Sequence, residues 1–236
     1  MTDEGFFLVV GMHRSGTSMV SGMVGLSGII SIGEGMGVRK VPHTRPMREN
    51  GRVKESDFED SRTWIINDKI LGALGGRWNM VPDYENIRNL KDGKIYALAE
   101  RYLQTIHAEA DGAKFCLKDP RFGITAPWWI ENFPKIFRPK IIWAFRDMEE
   151  VVNSLAMRDS WAKQNPGYAR VVSCKYVEYI KRMLSEYSLE YIKVEYADVL
   201  RDPLRAHRKI CAFTGANPDR FQSEVMDWVR PRYKRN

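Results

Sequence analysis

Gly11-Met12-His13-Arg14-Ser15-Gly16-Thr17-Ser18 gathers the basic Arg14 and three hydroxyls around two closely spaced glycines. Backbone N–H groups of such a loop converge on an anion, and a helix opening at its end adds its dipole. A second set is Arg146, Ser154 and Arg158. Ser154 and Arg158 are spaced to share one helix face, and Arg146 lies ahead of that helix. Two guanidiniums and a hydroxyl suit a phosphate group. Lys118-Asp119-Pro120-Arg121 supplies further cations. Together these residues could grip a polyanion at two points and stabilise charge on a leaving group.

The loop has the spacing of the triphosphate-binding pattern G-x4-G-K-[ST], through Gly11, Gly16 and Ser18. Its lysine position is Thr17, however. That lysine holds the β- and γ-phosphates of a nucleoside triphosphate. Its loss argues against an ordinary ATPase or kinase, while Arg14 keeps the loop suited to an anion.

The elements that position these residues follow from periodicity. Phe6–Val10 is an apolar run read as a buried strand, and Lys140–Phe145 is a second, apolar throughout as a parallel strand covered on both faces would be. Lys114–Leu117 and Tyr191–Glu195 read as further strands. Helical spacing is found from the end of the glycine loop to about Gly28, then over 57–74, 89–110, a stretch after Asp147 that carries Val151, Val152, Leu155 and Ala156, 171–187, 198–213 and 218–229. Pro127 to Pro134 reads as one or two helical turns between prolines. Strands alternating with helices predict an α/β fold with a central, mainly parallel sheet flanked by helices. Ligands of such sheets bind beyond the carboxyl ends of the strands, which places Arg14, Lys118 and Arg146 around one crevice.

Length favours one domain over residues 1–236. A hydrophobic content of 44% with seven tryptophans indicates a globular chain. Thirty-seven Lys and Arg against thirty Asp and Glu give +7, which fits an anionic partner without choosing among nucleotide, nucleic acid, acidic polymer and anionic lipid. Cys116, Cys174 and Cys211 form no C-x-x-C pair and read as thiols of a reducing compartment. The four histidines show no metal-ligand spacing, so no metal is expected. Ser15–Gly33 lacks charge but is rich in Gly and Ser, and reads as the loop helix and a turn rather than a membrane span. A soluble cytoplasmic protein is expected. Residues 33–56, with several glycines and Arg39, Lys40, Arg45, Arg48, Arg52 and Lys54, read as a long loop, either a solvated insertion or a substrate-binding lid.

The loop at 11–18 resembles the 5′-phosphosulfate loop of sulfotransferases that use 3′-phosphoadenosine-5′-phosphosulfate (PAPS). Arg146 and Ser154, eight residues apart, resemble the 3′-phosphate motif of that family. Leu117-Lys-Asp-Pro-Arg121 is similar to a segment of several branches, including protein-tyrosine sulfotransferases, and Glu195–Pro203 resembles a late strand and turn. The resemblance runs in family order from about residue 6 to residue 203 and implies a P-loop-like three-layer fold.

By position, the resemblance implies that Arg14, Ser15, Gly16, Thr17 and Ser18 hold the phosphosulfate, and that Arg146, Ser154 and Arg158 hold the 3′-phosphate. Lys118 and Arg14 would stabilise the leaving group. It implies transfer of a sulfuryl group from PAPS to an acceptor hydroxyl or amine. The histidine that many soluble members use as base is replaced by Asp119-Pro120. Glu59 is therefore the first candidate base, in a segment resembling that of glutamate-using branches, and Glu55 the second. Glu59 could instead be a structural partner of Arg62, and Asp119 could orient Lys118 or Arg121. Arg230, Arg232 and Lys234 are candidates to close over the 3′-phosphate. The acceptor is expected to be a carbohydrate or small-molecule hydroxyl; no nucleic-acid motif is present. The rival readings are a non-catalytic nucleotide-binding module of the same fold and a P-loop small-molecule kinase.

Overall fold

A computed structural model describes residues 5–32, 59–219 and 221–229, together with two short strands at 48–49 and 52–53. The sequence-assigned insertion at 33–56, including Glu55, otherwise lies outside the described residues, as do Arg230, Arg232 and Lys234.

Five parallel strands form the central sheet: β1 (Phe6–Val10), β2 (Ile30–Ser31), β5 (Phe115–Lys118), β6 (Lys140–Phe145) and β7 (Tyr191–Glu195), in the order β2-β5-β1-β6-β7. The two short strands β3 (Arg48–Glu49) and β4 (Arg52–Val53) pair antiparallel with each other. Every residue of β1 is buried, because alternate side chains enter different layers. Phe6, Leu8 and Val10 face one core, packed by α2 (Ser61–Ala73), α3 (Tyr84–Asn89), α4 (Gly93–Ala110), α5 (Phe122–Asn132), α6 (Met148–Ala156) and α8 (Pro166–Glu186). Phe7 and Val9 face the other, packed by α1 (Thr17–Leu26), α9 (Tyr196–Arg201), α10 (Pro203–Thr214) and α11 (Gln222–Val229). This is the three-layer α/β arrangement read from the sequence.

The topology reverses at β1. After α1 the chain builds β2 and β5 on one side, then crosses to build β6 and β7 on the other. The carboxyl ends of β1, β5 and β6 therefore adjoin, and the residues that follow them surround one crevice.

Several elements differ from the sequence reading. The stretch after α1 contains strand β2, where a turn was expected; two residues are too few to show periodicity, and pairing of Ile30 with Phe115 defines the strand. The helix read over 89–110 begins at Gly93, because Asp92 accepts from the N–H groups of Lys94 and Ile95 and starts α4 there, and the short helix α3 precedes it. Asp202 likewise accepts from Arg205 N–H and divides α9 from α10 at Pro203, a proline that fits a first helical turn. Within residues 164–168, read as a break, a short helix ends at Gln164 and α8 starts at Pro166, with Asn165 between them capping α8 at Tyr168 N–H. Helix α5 runs through Pro127, despite the missing N–H, because its residues from Phe122 to Ile130 are all buried.

Candidate active site

The loop after β1 is built to present its backbone. Ser15 N–H donates to the Met12 carbonyl at 3.1 Å, and Arg14 and Gly16 on either side adopt positive φ of 70° and 93°. Gly16 is required twice over. Its φ suits glycine, and a Cβ there would lie 2.6 Å from the Tyr196 ring. Ser15 Oγ donates to the Ala144 carbonyl at 3.0 Å, tying the loop to β6. Helix α1 then begins at Thr17 with no side chain capping its first amides. Those amides suit an anion.

Arg14 and the second basic set meet directly. Arg14 Nε donates to Ser154 Oγ at 3.0 Å, joining positions 140 residues apart. Arg146 follows β6, and its Nη1 donates to the Arg14 carbonyl at 3.4 Å. Its Nε also donates to Glu150 Oε2 at 2.7 Å, and its guanidinium lies 4.3 Å from the centre of the Tyr196 ring. Arg158 lines the same crevice. It does so from beyond α6, which ends at Ala156, so the shared helix face predicted for Ser154 and Arg158 is not formed. A tight turn, Arg158 N–H to the Leu155 carbonyl, keeps them near each other instead.

Lys118 closes the third side. It ends β5 with 3% of its surface exposed, and a buried ammonium needs partners. Nζ forms an ion pair with Glu59 Oε1 and donates to Ser18 Oγ at 3.1 Å. Thus Glu59, the sequence's first candidate base, adjoins the cation expected beside the sulfuryl group. Glu59 is not the partner of Arg62, which pairs with Asp60 at 2.6 Å and with Glu109. Asp119 turns away from Lys118: its Oδ1 accepts from Arg121 Nη1 and its Oδ2 from Asn67 Nδ2, both at 3.0 Å. Asn67 Oδ1 in turn accepts from Thr125 and Trp129, so a buried network underlies the β5 turn.

The crevice measures about 300 Å³. Of the residues expected to bind or act, Arg14, Gly16, Thr17, Ser18, Glu59, Lys118, Arg146 and Arg158 line it, while Ser15 and Ser154 hold its walls from behind. Arg121, read as a further cation, also lines it, and sequence reasoning missed His13, Trp78 and Tyr196, which line it too. Tyr196 directly follows β7 and could have been found by the carboxyl-end rule. Trp78 lies in a turn with no legible pattern. Burial holds the His13 pKa well below its ordinary value, and Arg121, Lys118, Arg158 and Arg14 push it the same way. Burial would also lower the Arg121 pKa, but Asp119 and Asp68 outweigh it and raise the value. Among the described residues no group of three or more His, Cys, Asp and Glu could hold a metal ion, and no helix is long and apolar enough to cross a membrane.

The model of the sulfotransferase family matches residues 7–219, a span that includes every element of this crevice. The chain belongs to the sulfotransferase family. Among solved structures, this sulfotransferase is similar to STF9 from Mycobacterium avium, at 17% identity and a TM-score of 0.56, over 100% of this chain and 70% of that one. It is also similar to the sulfotransferase domain from the curacin biosynthetic pathway, at 18% identity and a TM-score of 0.58, over 98% and 78% of the two chains. These likenesses concern the fold. No curated protein matches the chain. The enzyme transfers a sulfuryl group, and the positions its resemblance singled out now have a spatial arrangement.

Proposed function

We propose that this sulfotransferase uses PAPS as donor and passes the sulfuryl group to a hydroxyl, or an amine, of a carbohydrate or other small molecule. The observation that carries the reading is the Arg14–Ser154 hydrogen bond, which joins the phosphosulfate loop to the 3′-phosphate motif in one crevice. The uncapped start of α1 supports a phosphosulfate beside Thr17 and Ser18. Arg146, Ser154 and Arg158 provide the charge and hydroxyl for a 3′-phosphate, the group that separates this donor from ATP. Thr17 in the lysine position speaks against a kinase.

Bound there, the donor supplies an electrophilic sulfur, which the acceptor oxygen attacks in line as the bond to the bridging oxygen breaks. Lys118 and Arg14 stabilise the negative charge that grows on that bridging oxygen. Glu59 Oε1 takes the acceptor's proton. The Lys118–Glu59 pair serves both tasks: as Lys118 turns to the phosphosulfate, the carboxylate is released to the acceptor. The network of Asn67, Asp119 and Arg121 fixes the backbone from which Lys118 projects. Cys116 and Cys211 are buried free thiols, and burial pushes the Cys116 pKa up to about 12, which keeps it inert. They support the reading of a cytoplasmic enzyme.

The test is thermal stabilisation by 3′-phosphoadenosine-5′-phosphate, the expected product, against ADP and ATP with and without magnesium. A ligand that binds only the native state raises the melting temperature by mass action. The expected result is magnesium-independent stabilisation by the 3′-phosphorylated nucleotide, lost in Arg146→Ala. Stabilisation by ATP with magnesium alone would replace this reading with a kinase.

A further inference from the structure

Five buried side-chain atoms among the described residues lack a hydrogen-bond partner: His13 Nε2, Ser21 Oγ, His107 Nε2, Asp159 Oδ2 and Trp161 Nε1. One of them, His13, lines the crevice, and Asp159 and Trp161 stand behind its wall, next to the lining residues Arg158 and Trp78. His13 and Trp78 line the crevice with ring centres 4.3 Å apart, and Trp161 meets Trp78 edge-on at 5.6 Å. Asp159 follows the lining residue Arg158, whose Nε is 3.7 Å from its Oδ1. Asp159 is also the first residue before α7 (Ser160–Gln164), yet its carboxylate makes no capping bond to that helix. Buried polar groups are almost always paired, and each left unpaired destabilises the fold. One in the wall of the crevice with two directly behind it points to a ligand that enters there.

Their chemistry limits what that ligand can be. Trp161 Nε1–H only donates, an ionised Asp159 only accepts, and a neutral His13 does one or the other by tautomer. Each hydroxyl of a polyol both donates and accepts, so two or three on adjacent carbons match the set. A phenol has one hydroxyl, which the reaction itself consumes, and an alkyl chain has none to spare. The two indole rings add an apolar surface on which the C–H face of a sugar ring can lie. We propose that the corner formed by His13, Trp78, Asp159 and Trp161 is the acceptor subsite and that it takes a pyranose ring. This rests on the reading of the remaining crevice as the donor site. Trp78 is the cover of the subsite. It is half-buried and sits on the turn closed by the Arg77–Met80 hydrogen bonds, and its side chain must swing aside for the ring to reach Asp159 and Trp161.

Titration calorimetry of the methyl glycosides of glucose, galactose and N-acetylglucosamine, each with and without saturating 3′-phosphoadenosine-5′-phosphate, tests the subsite; phenol and hexanol are the comparison ligands. At least one glycoside is expected to bind saturably. Trp161→Phe, which keeps a ring and removes only the donor, is expected to weaken it at least tenfold while nucleotide binding is unchanged. Asp159→Asn gives a second reading in a variant of equal size. Phenol or hexanol binding in place of the glycosides, an absence of glycoside binding, or wild-type glycoside affinity in Trp161→Phe would each overturn the subsite. Failure of the nucleotide alone, with glycoside binding intact, would overturn the donor reading and leave the subsite standing.

Discussion

Glu59 and Lys118 illustrate how a residue's role depends on a partner far away in sequence. The two are 59 positions apart and form an ion pair at the floor of the crevice. Glu59→Gln keeps the side chain's shape and an oxygen for Lys118 but removes the proton acceptor. Transfer is expected to fall by roughly 10²- to 10⁴-fold, as for loss of a general base, while stabilisation by 3′-phosphoadenosine-5′-phosphate persists. Wild-type turnover in single-turnover assays would place the base elsewhere. Arg14, Lys118 and Arg146 were legible in the sequence because each ends or follows a strand or sits in the glycine loop, and the strand-end rule needs only local pattern. His13 was equally visible as a residue, yet its neighbours Trp78, Lys118, Arg121 and Arg158 come from separate segments. No local pattern announces such a meeting.

At the level of elements, the same contrast separates long runs from short ones. The apolar strands β1 and β6 and the amphipathic α4 declared themselves through periodicity, whereas β2 exists only because β5 offers it a partner. Helix α5 shows packing overruling a proline, with Trp128 and Trp129, which directly follow Pro127, both fully buried. Gly22 in α1 marks a close approach between helices. A Cβ at Gly22 would stand 2.3 Å from the Trp228 ring of α11, whose Nε1 donates to the Met19 carbonyl at 3.0 Å. Gly22→Ala is therefore expected to push α11 off α1 and destabilise the fold by about 1–3 kcal/mol, the usual cost of overpacking. Equilibrium urea unfolding checks this, and an unchanged midpoint would show that α11 yields freely. Because α11 packs on the face of the sheet opposite α5 and α8, glycoside affinity should be less affected than stability.

For the molecule as a whole, the order of strands concentrates positive charge where the sheet reverses direction, and this has a consequence for pH. Two of the described histidines are held neutral. His13 is depressed first by burial and then by four surrounding cations; His207 is depressed by burial, then by Arg208, and its Nε2 lies 3.1 Å from Ser27 Oγ. In the unfolded chain both titrate near the ordinary histidine value of about 6.5. Below that pH the unfolded chain binds protons that the folded chain refuses, so the slope of unfolding free energy against pH is positive. Stability contributed by these sites is fully present above the unfolded value and is lost as pH falls from there toward the lower folded values. The melting temperature should therefore decline from about pH 7.5 to about pH 5.5, a range above the titration of most carboxylates. His13→Gln with His207→Gln should flatten that decline while lowering stability at neutral pH, because glutamine keeps a polar atom at each site but does not titrate. Parallel declines in the variant and the wild type would show that neither histidine carries the acid sensitivity of this range.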